Sequence, residues 1–538
     1  MQSSKLIFAS AFFYLRYLLV LLLPLVIVCN TCRAQDDVRL RTYNSYDEQK
    51  LYNADTELHT IWKPVIYTDT LLPVKTGPWF NRKFFQEHLL QVQTPGFNIY
   101  GDFIVDEYIG KSSRYNKRIG AKVINTKMPG MDTRGYEISG NIGTKVYFET
   151  AFYENQAKFG GYIDSFIRQY KVIPGLDGYK NIGDGTGFDF SSSSAKITYI
   201  PNKVLLFDLG YGKNFIGDGY RSLLLSDWSY NYPYFRASFT FNKFQYSVMW
   251  SQYISDVNTH ENNNLGYFRK WAQTYVLDWK TTKNLSLSVF ESVIWPDQTH
   301  DSIRQKDISP SLLSPLIFAH GSQSPSGVSN YDMVGFNAKY KIAARTFAYG
   351  QYIINELGSS SSWQNRTGLQ LGLRSGNIFN LENLNVDIEF NTVRPYTYQG
   401  NSSDVNYTNT NQPLAHPLGA NFKEGIFVAS YSYKSFWFRA EAFIASYGAD
   451  TGAANYGHNI FLPLSTNSVT DNVSTGQGIP AKIYYGDLRI AYILNAATNL
   501  RIEAGFTYRR ESSDIFKYTD KIIYIGIRMS FRSLFYDF

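Results

Sequence analysis

The chain has 538 residues, of which 17% are aromatic, with 43 Tyr and 38 Phe against only 2 Cys and 6 Met. A mean hydropathy of −0.27 excludes a polytopic helical membrane protein, though not a β-barrel, whose lipid-facing and lumen-facing residues alternate and average out. The formal charge of +7 is dispersed along the chain and leaves no nucleic-acid footprint.

Residues 1–34 read as a secretory leader. Lys5 and Arg16 precede the apolar run 17–28 (YLLVLLLPLVIV), and cleavage is expected after Ala34. The proline in that run and the polar Gln35, Asp36 and Asp37 beyond it argue against a retained helical anchor. Val28 and Thr31 precede the two cysteines where a lipoprotein signal requires a small residue, so a lipid anchor is discounted. Cys29 and Cys32 leave with the leader, which excludes a disulfide scaffold, a thiol nucleophile and a Cys-ligated metal in the remaining chain. Residues 35–96 differ in pattern from the rest of the chain. The stretch 46–62 is polar with scattered apolar positions, and 81–92 places Phe84, Phe85, His88 and Leu89 at helical spacing. A short N-terminal periplasmic region with one or two helices, set against the barrel mouth, is expected there.

From Phe97 onward the period is two. Phe97, Ile99, Gly101, Phe103 and Val105 alternate with Asn98, Tyr100, Asp102, Ile104 and Asp106. Thr367, Leu369, Leu371 and Leu373 alternate with Gly368, Gln370, Gly372 and Arg374. Val386, Ile388 and Phe390 alternate with Asp387, Glu389 and Asn391, and the same holds over residues 500–509. A polar phase that carries charge is the pattern of a transmembrane barrel, apolar outside and polar inside. Connections alternate in length, which separates a barrel from a soluble sandwich. Residues 201–203, 281–283, 434 and 495–499 are tight turns, and 154–193, 295–331, 395–423 and 449–481 are long loops. A closing strand is expected over 521–531, followed by a bulge or short tail, because the alternation slips before Leu534, Tyr536 and Phe538. The fold class is therefore all-β, a transmembrane outer-membrane barrel of about 18 antiparallel strands over residues 97–538.

One stretch departs from the pattern. Residues 210–234 (GYGKNFIGDGYRSLLLSDWSYNYPY) combine glycines, an Arg-Ser pair and aromatics at every second position. They read as a loop or constriction between two strands. The glycines resemble a phosphate loop only superficially, because Asp218 stands where a P-loop lysine belongs. Arg221 can fork onto an inward carboxylate and lock an infolded loop, or meet an anionic sugar. Trp228, Tyr230, Tyr232 and Tyr234 share one face if the backbone is extended, as a platform for sugar rings or as a membrane-interface girdle. With Asp218 and Tyr220 they form the candidate glycan-binding set.

Motifs for chemistry are sparse. No two of the seven histidines form HExxH, so a zinc-hydrolase motif is absent, and the lack of GxSxG weakens an acyl hydrolase. A Ser–His pair can still meet across strands inside a barrel, which leaves an outer-membrane hydrolase as a third reading. Asp177, Asp184 and Asp189 fit no EF-hand spacing and read as turn residues. No cofactor, metal or catalytic residue is expected.

The run 209–234, with VIPG at 172–175 and TRGYEISGNIG at 133–143, resembles outer-membrane proteins of Bacteroidota, the capsule-assembly Wzi-like and gliding-motility RemB-type proteins. Its sharpest motif is GDGYRS at 217–222. The resemblance implies a non-enzymatic barrel in the outer membrane of a Gram-negative bacterium that binds or organises capsular or exopolysaccharide, with a part in gliding motility or adhesion. Expected partners are outer-membrane lipid, surface polysaccharide and gliding or secretion components, and no nucleic acid. The residues leave open a porin-like channel for small solutes, with Arg489, Arg501, Glu503 and Arg509 along the pore.

Overall fold

The structure is a computed structural model, which describes residues 38–43, 58–70, 72, 75–118, 121–256, 268–296, 314–318, 330–358, 362–452 and 454–538. The expected leader lies outside them, as does most of the polar stretch 46–62.

Among the described residues, eighteen antiparallel strands close into one barrel. They are β1 (Phe97–Arg118), β2 (Gly130–Ile142), β3 (Val146–Lys158), β4 (Gly187–Tyr199), β5 (Leu205–Gly212) and β6 (Tyr232–Phe241). Next come β7 (Phe244–Asp256), β8 (Phe268–Lys280), β9 (Leu285–Pro296), β10 (Tyr331–Ala343), β11 (Thr346–Glu356) and β12 (Arg366–Gly376). The last six are β13 (Leu384–Val393), β14 (Phe422–Tyr433), β15 (Phe436–Ala449), β16 (Ile479–Asn495), β17 (Leu500–Ser513) and β18 (Phe516–Arg528). Each strand pairs with the next, and β18 closes on β1 from Phe516↔Arg118 to Ile527↔Glu107. Closure leaves no unpaired wall edge, which is what a chain needs where no water is available to satisfy its backbone.

The expected alternation is realised. Phe103, Val105, Leu371, Leu373, Ile388, Phe390, Ile502, Phe506, Ile523, Ile525 and Ile527 are exposed on the outer wall. The intervening Asn98, Asp106, Gln370, Arg374, Glu389, Asn391, Glu503 and Arg509 are buried inside. A soluble domain has the reverse arrangement, so the outer band is built for lipid. No described helix is long and apolar enough to cross a membrane.

Short turns at 143–145, 200–204, 242–243, 281–284, 344–345, 377–383, 434–435 and 496–499 define one end of the barrel. The connections 159–186, 213–231, 297–330, 394–421 and 450–478 arise at the other. The 514–515 turn breaks the rule, being short at the long-loop end. The connection expected over 154–193 is narrower than that span, since β3 runs to Lys158 and β4 begins at Gly187. It also contains a helix, α2 (Gly161–Tyr170), which buries Tyr162, Ile163 and Ile167.

The N-terminal region holds one short helix among the described residues, α1 (Trp79–Phe85), not a helix over 81–92. Beyond it Leu90–Thr94 is a strand paired with the start of β1, Leu90↔Gly101 to Thr94↔Phe97. The reason lies across the seam. Strand β18 ends at Arg528 and the chain turns inward, so the lower part of β1 has no partner there until Leu90–Thr94 supplies one. Residues 529–538 form the expected tail. They run into the lumen, where Tyr536 and Phe538 pack on Phe159 and on Tyr162 and Phe166.

Ile523 is near the middle of β18 on the outer face. Ile523→Arg is expected to lower unfolding stability in lipid vesicles by about 2–4 kcal/mol, whereas Ile523→Val should change it little. Urea titration of the vesicle-inserted protein reads the difference.

Candidate functional site

The segment 213–231 hangs into the lumen as a hairpin. Ile216 and Leu225 bridge across it, with Ile216 N–H donating to Leu225 O at 2.8 Å. On its other side Phe215 and Ile216 pair with Lys63 and Trp62 from the N-terminal segment, which also lies inside the barrel. Leu223, Leu224 and Leu225 are buried in the central apolar cluster.

The hairpin tip explains the glycines. Gly217 has φ +146°, and a Cβ there would strike the amide of Gln351. Gly219 lies against Glu389 and Gln370, so any side chain would drive the tip off the wall. Backbone and side-chain groups then dock on the inner faces of β10 to β15. Leu223 N–H donates to Gln351 Oε1 at 2.8 Å, and Gln370 Nε2 donates to Arg221 O at 3.0 Å. Tyr220 N–H and Arg221 N–H donate to the two oxygens of Glu389 at 2.8 and 3.2 Å.

Three of the candidate residues lie within this tip. The Asp218 carboxylate is 2.6 Å from Lys339 Nζ and 4.0 Å from Lys63 Nζ, and it accepts from Asn337 Nδ2 at 2.8 Å. Burial alone would push its carboxyl up. The two ammonium groups and the Asn337 amide outweigh burial and hold it well below the usual carboxylate range. The Tyr220 hydroxyl is 2.7 Å from Asp537 Oδ2 and 3.0 Å from Glu441 Oε1. Its single proton serves one carboxylate at a time. Arg221 Nη1 pairs with Asp537 Oδ2 at 2.8 Å, its Nη2 donates to Asp537 O, and Glu424 Oε1 is 4.0 Å away. Asp537 is in turn held below the usual range, since Arg221 and the Tyr220 hydroxyl outweigh its burial. The structure therefore gives Arg221 a locking partner in the C-terminal tail.

The four aromatics are all buried, but they do not share one strand face. Tyr232 and Tyr234 project inward from β6, whereas Trp228 and Tyr230 belong to the infolded segment. Trp228 meets Phe166, Phe535 and Phe538 edge-on, with centroids 6.3, 5.6 and 5.4 Å away. Tyr232 stands edge-on to Tyr253 at 4.9 Å, and Tyr230 edge-on to Tyr211 at 6.1 Å. With relative exposures of 1–6%, the four are neither an outward girdle nor an open stacking platform. Ring packing inside the barrel covers Trp228, Tyr230 and Tyr232, and Tyr234 lines an interior cavity.

Two long loops complete the plug. Ser226 N–H and Oγ donate to Leu414 O and Ala415 O at 2.8 and 2.6 Å. Gln412 bonds Gly175 N–H at 2.6 Å and Leu176 O at 2.7 Å, joining the 394–421 loop to the segment after α2. Asn421 Nδ2 donates to Gln477 O at 2.8 Å, and Tyr396 Oη donates to Asn455 O at 3.0 Å, so the 394–421 and 450–478 loops are knitted together. The inward Arg489, Arg501 and Arg509 pair with Asp487, Glu503 and Glu511 at 2.6, 2.7 and 2.8 Å. Arg509 also donates through Nε to Phe538 O at 2.8 Å, and thus grips the tail. A cavity of about 670 Å³ remains along β1 to β5, lined by Tyr147, Glu149, Lys196, Tyr211, Lys213 and Asp227 among others. Asp184 accepts from Thr186 N–H and Oγ1 in an exposed turn, as expected for a turn aspartate, whereas Asp189 is not a turn residue but lies in β4, paired with Gln156. Among the described residues no group of three or more His, Cys, Asp or Glu is arranged to hold a metal ion.

Sequence reasoning did not find Asp537, Glu424, Glu441, Gln351 or Lys339. For the four strand residues the signal is the inward phase, which marks a side chain as interior without naming what it will meet; Asp537, in the tail beyond β18, has no such phase.

These features define a closed, internally plugged antiparallel barrel of the outer-membrane type. No protein-family profile matches the sequence, and no curated protein matches it. Among solved structures the chain is similar to Wzi of Escherichia coli, described as an outer-membrane protein of group 1 capsule assembly and a carbohydrate-binding barrel. The identity is 13%, over 79% of this chain and 85% of that one, with a TM-score of 0.46. It is similar also to OprD of Pseudomonas aeruginosa, at 11% identity over 80% and 96% of the two chains with a TM-score of 0.38. For OccAB2 of Acinetobacter baumannii the values are 10%, 80%, 98% and 0.39. Similarities this remote transfer no role, and the fold class rests on the chain's own ladder of strand pairs.

Arg221→Met removes the cation between Asp537, Glu424 and Glu441 and should cost about 3–5 kcal/mol, with partial recovery in Arg221→Met/Asp537→Asn. Chemical unfolding of the four-protein cycle measures the coupling. Asp218 and Asp537 have depressed folded pKa values, so their contribution is full above the unfolded value near 4 and is lost as pH falls through the folded ones. The urea midpoint should therefore drop on acidification below about pH 4. Asp218→Asn should start lower and show a shallower drop.

Proposed function

We propose that the protein is a non-enzymatic barrel of the outer membrane whose plugged lumen fixes a rigid loop face for surface polysaccharide. The observation that carries this reading is the knitting of the 394–421 and 450–478 loops to each other and to the infolded hairpin. The exposed part of that cap is rich in amides and hydroxyls such as Asn401, Ser403, Ser465, Thr466 and Asn472, with Asp471 among them. Neutral polar groups held by a buried network suit the hydroxyls of a glycan, because little conformational freedom remains to be lost on binding. On this reading Asp218, Tyr220, Arg221 and the four aromatics position the cap from beneath. Support for gliding or adhesion would come through the same glycan-bearing surface.

A porin-like channel is the second reading, and the cavity along β1 to β5 is what favours it. It would require that cavity to connect both ends of the barrel past a plug that the charge pairs hold in place.

Deleting the gene should shift polysaccharide from the cell-bound to the released fraction, and restoring the wild-type chain should reverse the shift. A chain carrying Asn401→Arg, Ser465→Arg and Asn472→Arg should fold, with heat-modifiable mobility, yet fail to restore retention. An unchanged bound-to-released ratio in the deletion strain would contradict the role.

A further inference from the structure

Helix α1 is inside out for a helix in water. Its sequence is WFNRKFF, and none of its residues is buried. Trp79, Phe80, Phe84 and Phe85 are 58, 60, 44 and 43% exposed. Phe80 and Phe84, one turn apart, stack with ring centroids 4.4 Å apart and present one continuous apolar surface.

The two cationic residues of the helix, Arg82 and Lys83, turn to the protein instead, while Asn81 stays exposed. Arg82 Nη1 and Lys83 Nζ each lie 3.1 Å from the buried carboxylate of Glu87. Arg82 also donates to Lys75 O at 3.3 Å, and Lys83 donates to His88 O at 3.0 Å. The segment is pinned to the barrel rim on two sides. Asn495 Nδ2, at the lower end of β16, donates to Glu87 O at 3.0 Å. Asp102 of β1 accepts Leu89 N–H at 2.8 Å and lies 2.6 Å from His88 Nδ1. Directly after these anchors, Leu90 and Val92 are exposed on the strand that pairs with β1. The aromatic face of α1 thus adjoins the outer apolar band of the wall at its short-turn end, where Phe97, Tyr492 and Phe436 are exposed as well.

We propose that α1 is an interfacial foot, lying with Trp79, Phe80, Phe84 and Phe85 in the headgroup–acyl boundary of the leaflet on the short-turn side. The inference rests on the reading that the barrel resides in a bilayer. Continuity with the lipid-facing wall identifies lipid as the occupant. Composition agrees, because aromatic side chains gather at membrane–water interfaces. The charges agree too, since both cations are already satisfied by Glu87 and leave an apolar face.

The test is site-directed spin labelling of the full chain with Cys29→Ser and Cys32→Ser, in phosphatidylethanolamine–phosphatidylglycerol vesicles. Single labels are introduced as Phe84→Cys, as Phe80→Cys for an independent position, as Ile523→Cys in the wall and as Asn401→Cys in the loop cap. Heat-modifiable mobility confirms that each is folded. The expected result is that the labels at 80, 84 and 523 shift toward collision with oxygen over an aqueous nickel complex, and that the label at 401 shifts the other way. A wall label in lipid with labels at 80 and 84 in water would overturn the foot and leave the bilayer reading intact. Dipolar broadening at 84 would overturn it in favour of a second copy docked on the helix. A wall label in water would overturn both readings together.

Discussion

A guanidinium buried inside a barrel must be met by an anion, and here the anion comes from the far end of the chain. Arg221 hangs from the long-loop end, and Asp537 rises from the short-turn end on the tail beyond β18. Their contact closes the lumen from both directions. Around it Glu389, Glu424 and Glu441 project from three strands of the wall, so the pair registers the plug against the barrel as well as against itself. Desolvating so many charges is costly, and removing one partner strands the others. The arrangement therefore acts as an all-or-none specification of where the hairpin sits.

The same constraint orders the rest of the interior. Once the tail is drawn inward to reach Arg221, β18 cannot continue along β1, and the Leu90–Thr94 strand takes its place. Tail residues Phe535 and Phe538 supply the rings on which Trp228 packs, and α2 adds Phe166 beside Phe538. The long loops then rest on a solid floor. Their amides and hydroxyls bond to each other across the top of the barrel, so the surface offered outward has a fixed shape. Fold and proposed role are linked through this floor.

The wall was largely legible in the sequence because alternation is a local property. Each strand states its own inward and outward phase within five or six residues, and the stretches from Phe97, Thr367, Val386 and Leu500 all adopt the phase expected of them. The locking role of Arg221 was legible as chemistry, since an inward guanidinium among carboxylates has few other uses. Its partner was not, because Asp537 lies 316 positions along the chain and nothing in the tail marks it as interior beyond the slip in alternation. Helix α2 carried a readable signal in the spacing of Ile163, Phe166, Ile167 and Tyr170, which the Gly-rich run after it obscured. The aromatics from Trp228 to Tyr234 mislead for a physical reason: a two-residue period implies one face only while the backbone stays extended, and here it becomes extended only at Tyr232.

Single-channel recording in planar bilayers tests the central claim most directly, because a plug is defined by what it stops. The wild-type barrel should insert and stay nearly silent, and Arg221→Met should show frequent openings as the hairpin loses its anchor on the tail. Steady conductance of the wild type, at the level expected for an open eighteen-stranded pore, would show that the lumen is a passage and that the Arg221–Asp537 pair does not close it.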